Sequence, residues 1–72
     1  MNYQATLKFN QQDYTGSVCS TDHDAVWSAI DLLKSKGDCV TDRITLIVHS
    51  IYSNEKPVAY VTTLGKYFCE IA

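Results

Sequence analysis

The chain has 72 residues, 46% of them hydrophobic and 19% charged, with a formal net charge of −2 and a pI near 5.4. That is room for one domain, expected to span residues 1–72, with a single core of marginal stability that a partner surface would help. The chain is too apolar for intrinsic disorder and has no apolar run near the ~20 residues of a membrane span. Its cations, Lys8, Lys34, Lys36, Arg43, Lys56 and Lys66, are scattered, not clustered as counterion-releasing nucleic-acid binding requires.

The first segment alternates, with Tyr3, Ala5, Leu7 and Phe9 against Gln4, Thr6, Lys8 and Asn10, the period of a half-buried strand. Asn10 to Asp13 is a polar run suited to a turn. Tyr14 to Cys19 reads as the second strand of a hairpin, with Gly16 marking a bulge or close packing. The helix that follows carries the clearest signals. Thr21 is placed to cap it, with Asp24 three residues on. Asp22 and Asp24 suit the positive end of its dipole, and Lys34 and Lys36 the negative end. Gly37 is the expected left-handed stop. Ala25, Val26, Ala29, Ile30, Leu32 and Leu33 form one apolar stripe, and Asp24, Ser28, Asp31 and Ser35 the opposite, solvated face.

Asp38 to Asp42 reads as a loop. Ile44 to Tyr52 then reads as a strand with Ile44, Leu46 and Val48 on one side and Ile47, His49 and Ile51 on the other. Apolar residues on both sides suggest an interior strand with both faces at least partly covered. Ser53 to Pro57 is a turn, Val58 to Thr63 a β-branched strand broken at Leu64-Gly65, and Lys66 to Ile71 a last strand.

These elements give an α+β domain of ββαβββ order, one helix packed on a mixed or antiparallel sheet. A hairpin, a helix and a second β-region resemble the β-grasp folds, including ubiquitin-like and immunoglobulin-binding domains, in element order and size alone. That resemblance implies a mixed sheet with a right-handed crossover; a five-stranded antiparallel meander is the alternative. Either way one helix covers part of one sheet face. The apolar residues of the other face then call for a curled sheet or a second molecule.

Chemistry-bearing constellations are sparse. Cys19, Cys39 and Cys69 are odd in number and widely spaced, which argues for free thiols in a reducing, cytoplasmic compartment. The chain also opens directly on its alternating segment, without the pattern of a signal peptide. Cys19 and His23 with Cys39 are the one conceivable zinc set, with Cys69 or His49 as a further donor, but no second close pair pre-organises it. The simpler reading is that Cys19 and Cys69 are small buried hydrophobes and His23 a first-turn helix residue. A nucleophile built from Cys39 or Cys69 with His49 lacks room for a cleft. Asp22, Asp24 and Asp31 lie on a capped helix rather than in a calcium loop. Gly16, Gly37 and Gly65 are too far apart for a phosphate cradle. Neither enzyme, cofactor nor metal is expected.

What remains is a surplus of aromatic and apolar side chains. Trp27 points about 100° away from the centre of the helix stripe, either over the sheet edge or outward as an interface anchor. Tyr3, Tyr14, Tyr52, Tyr60 and Tyr67 together exceed what one small core can hold. The expected function is a non-enzymatic protein-binding module in which Trp27, Tyr60, Tyr67, Ile47 and Ile51 anchor a partner. Asp24 and Asp31 would meet its basic patch. Small, acidic, motif-poor domains are common among phage and mobile-element accessory proteins, some of which inhibit host machinery, anti-CRISPR proteins among them. The expected mode is therefore steric occlusion of a larger host or self-encoded protein. The alternative is a self-associating domain, a homodimer through a sheet face or edge. A metal- or nucleic-acid-binding domain with stacking tyrosines ranks below both, and no membrane partner is expected.

Overall fold

The computed structural model describes residues 2–37, 39–51 and 59–71. Strands β1 (Tyr3–Phe9) and β2 (Gln12–Thr15), helix α1 (Asp22–Ser35), strands β3 (Thr45–Ser50) and β4 (Ala59–Thr63) and helix α2 (Leu64–Ile71) follow in that order. The strands form one four-stranded sheet ordered β2-β1-β3-β4, with every neighbouring pair antiparallel. The α+β class with a helix between the second and third strands is therefore as expected.

Three expectations need correction. The last element, Lys66 to Ile71, is not a strand but most of α2, so the order is ββαββα. Period two fits Tyr67, Cys69 and Ile71, but Leu64, Tyr67, Phe68 and Ile71 fit i, i+3, i+4, i+7, and the helical period wins. Leu64 and Tyr67 are buried and Phe68 packs against the core. The Thr63 hydroxyl caps the helix by accepting from Lys66 N at 3.3 Å. Gly65 permits the close approach of α2 to the loop before β3, since a Cβ there would lie 2.7 Å from Asp42 Cβ. Second, of the mixed and antiparallel sheets expected, the antiparallel one forms, with four strands rather than the mixed sheet of a β-grasp or the five strands of a meander. Both β2 and β3 run antiparallel to β1, so they are parallel to each other, and α1 carries the chain across. Third, the strand expected from Ile44 begins at Thr45, and the turn spans only Asn10 and Gln11, both at positive φ (50° and 63°). Such a two-residue turn matches the twist of a tight hairpin. The expected turn at Ser53 to Pro57 lies outside the described residues.

Helix α1 forms as its sequence dictates. The Thr21 hydroxyl accepts from Asp24 N at 3.1 Å, and Gly37 takes φ 83° just past the last turn. Ala25, Val26, Ala29, Ile30 and Leu33 are buried against Ala5, Leu7, Tyr14, Leu46 and Val48 of the sheet, and Leu64 and Tyr67 of α2 join the same core. Gly16 sets how closely α1 can sit: a Cβ there would lie 2.5 Å from Ala29 N. Both helices thus cover one sheet face. On the other, Gln4, Thr6, Ile47 and His49 are half-buried, so β3 is the interior strand its pattern suggested, with its second face only partly covered.

Candidate functional site

The exposed side of α1 brings acidic, aromatic and hydroxyl side chains together on one surface. Along its crest, one turn or two apart, stand Asp24, Asp31 and Ser35, all exposed. Neither carboxylate forms an ion pair with a described residue; the Ser35 hydroxyl is turned back to donate to Leu32 O at 2.7 Å. Helix α1 therefore presents two carboxylates that no described residue neutralises.

One flank of this crest is aromatic. Trp27 is 41% exposed, and its Nε1–H donates to His23 Nε2 at 3.0 Å, one turn earlier. The bond requires His23 to carry its proton on Nδ1, leaving Nε2 as acceptor. The indole leans on Phe68 of α2, with ring centroids 5.6 Å apart, and Lys34 Nζ lies 5.8 Å from its centroid. Of the two placements open for Trp27, the structure takes an intermediate one: its inner edge holds α2 and its outer edge is free.

The other flank is an open cleft of about 390 Å³ lined by Thr15, Gly16, Ser17, Ser28, Asp31 and Leu32. Ser28 Oγ accepts from Ser17 N at 2.7 Å, which ties the chain after β2 to the helix and fixes the wall. Leu32, expected in the core stripe, is half-buried and forms part of this lining. Hydroxyls, one carboxylate and one apolar side chain suit a long basic side chain, whose stem can lie on Leu32 while its head meets Asp31.

The remaining expected anchors do not join this surface. Tyr67 is only 3% exposed and is corrected from anchor to core residue. Its hydroxyl has no hydrogen-bond partner among the described residues, and burial, with a smaller contribution from the Asp22 charge, raises its pKa above the ordinary 10. Ile47 and Ile51 belong to the far side of the sheet, Ile47 half-buried and Ile51 40% exposed. The backbone of Tyr60 pairs with Val48 in β4, while its side chain lies outside the described residues.

Cys19 is half-buried, and Cys39 and Cys69 are exposed free thiols; the burial expected of Cys69 is corrected, since its segment is a helix that turns it outward. Among the described residues no three His, Cys, Asp or Glu side chains converge as a metal site, so Cys19, His23 and Cys39 are not brought together. His49 occupies the open sheet face, whereas Cys69 belongs to α2 on the opposite one. No described helix is long and apolar enough to cross a membrane.

Sequence reasoning missed Phe68, His23 as the Trp27 acceptor, and Val61. Phe68 was hidden by the strand reading of its segment. The i, i+4 spacing of His23 and Trp27 could have paired them. Val61, 68% exposed, sits in a β-branched run with no amphipathic signal. Compared with known proteins, the chain matches no family model, no curated protein and no solved structure.

Proposed function

We propose that this protein is a non-enzymatic protein-binding module whose exposed α1 face docks on a basic surface of a larger protein and acts by covering it. The observation that carries the reading is the pair of exposed carboxylates, Asp24 and Asp31, which have no ion-pair partner among the described residues and stand on α1 between an aromatic anchor and a polar cleft. Negative charge on the crest speeds encounter and sets orientation. A lysine or arginine of the partner enters the cleft beside Asp31. Trp27, already held on one side by Phe68 and His23, loses little side-chain freedom on burial, as hot-spot aromatics do. The role expected of a mobile-element accessory protein, inhibition or modulation of a host protein, follows from the same contact by occlusion. The proposal involves no cofactor, nucleic acid or membrane.

The test is affinity capture from lysate of the cell in which the protein acts, with wild type and Trp27→Ala run side by side. A protein retained in stoichiometric amount by wild type and lost with Trp27→Ala is expected. Retention that ignores the substitution, or no stoichiometric protein at all, overturns the reading.

A further inference from the structure

The two edges of the sheet are not equally protected. Edge strand β2 is only four residues long and carries Asp13, and the segment after it is tied to α1 through Ser17 and Ser28. Edge strand β4 has the sequence Ala-Tyr-Val-Thr-Thr, with no charge, proline or glycine to discourage pairing. Its exposed Val61 stands beside Ile47 across the ladder.

The hydrogen-bond parity of β4 is also fixed. Leu64 N donates to Ile44 O at 3.1 Å, which makes that pair, and hence Leu46↔Thr62 and Val48↔Tyr60, the hydrogen-bonded pairs of the antiparallel ladder. The backbone N–H and C=O groups of Ala59, Val61 and Thr63 therefore point away from β3, to an edge that no other described strand occupies.

We infer that β4 pairs with β4 of a second copy, antiparallel about a two-fold axis through Val61. Outward-facing groups at Ala59, Val61 and Thr63 place Val61 opposite Val61 and Ala59 opposite Thr63, all as hydrogen-bonded pairs, so the register closes on itself. On the open face the arrangement lines up Ile47, Val61 and their two counterparts in one apolar strip. A neutral strand favours a neutral mate, and this edge supplies one. The contact is short against the ~1,200–2,000 Å² of stable complexes, so a reversible dimer in the micromolar range is expected rather than an obligate one. The surface is separate from the α1 face, so either can fail without the other.

The experiment is sedimentation equilibrium from micromolar to millimolar protein, joined to amide hydrogen exchange at both ends of the range. Wild type is expected to shift from monomer to dimer, with the Val61 and Thr63 amides gaining at least tenfold protection at high concentration. The Thr62 and Leu64 amides, already bonded to the ladder, should not change. Val61→Lys, on an exposed site, should keep the circular dichroism of wild type and stay monomeric. Val61→Pro, which removes only an outward N–H, should do the same. A wild-type monomer at millimolar concentration, a dimer that survives both substitutions, or protection of Val61 independent of concentration overturns the inference.

Discussion

Individual residues hold two departures from ideal structure, and each gives a measurable consequence. Gln11 adopts φ 63° in a two-residue turn, a conformation that favours glycine at the second position. Gln11→Gly should relieve that cost and, after the added chain entropy of glycine, raise stability by about 0.5 kcal/mol in urea unfolding. Tyr67 buries a hydroxyl without a partner among the described residues. Tyr67→Phe keeps the ring packing and should leave stability at neutral pH unchanged or raise it by about 1 kcal/mol. The pH dependence follows from the raised pKa. Above about pH 10 the unfolded chain releases the tyrosine proton while the folded one keeps it. Stability is thus constant for this group below that pH and falls as pH rises beyond it. Urea unfolding at pH 9 and pH 11 should show a smaller loss in Tyr67→Phe than in wild type; an equal loss would contradict the assignment. At the aromatic flank, His23→Ala removes the acceptor of the Trp27 Nε1–H bond, and Trp27 fluorescence should then differ from that of wild type; an unchanged spectrum would contradict the contact.

Among the elements, α1 and the chain leaving β2 approach so closely at Gly16 that no Cβ fits between them. Gly16→Ala would push a Cβ against the backbone of Ala29, and neither side can yield as a flexible side chain would. A destabilisation of about 3 kcal/mol is expected, the upper end for overpacking, whereas Gly37, with open space around it, owes its role to φ alone. This is also the scale at which sequence and structure part. Helix α1 was legible because cap, dipole charges, stripe and stop agree. Strand β1 was legible from alternation, whereas β2 runs Gln12–Thr15 rather than the Tyr14 to Cys19 expected, because the turn takes only Asn10 and Gln11. Helix α2 was not, because eight residues hold only two turns and Tyr and Phe favour strands. Only the tertiary burial of Leu64 and Tyr67 decides between periods two and 3.6. The crest of Asp24 and Asp31 could be read from helical spacing. The cleft could not, since it depends on where β2 passes α1, and Tyr67 was misplaced along with its element.

For the whole molecule, size leaves a surplus, and the fold distributes it to two places. The helices cover one face of the sheet and leave Ile47, Ile51 and Val61 on the other, while the outer side of α1 keeps Trp27 and two carboxylates without a partner among the described residues. The composition that made a single core marginal thus reappears as two separate surfaces suited to other molecules, one charged and aromatic, one neutral and strand-like. The proposed docking through the charged surface is the central claim, and its electrostatic part has a quantitative signature. The decisive measurement is the affinity of Asp24→Lys/Asp31→Lys for the captured partner, titrated at low and high salt beside wild type. Desolvated charge pairs are worth several kcal/mol at an interface, so the variant should bind at least 100-fold more weakly, and only wild-type binding should weaken steeply with salt. An affinity within threefold of wild type, with the same salt dependence, would contradict the account.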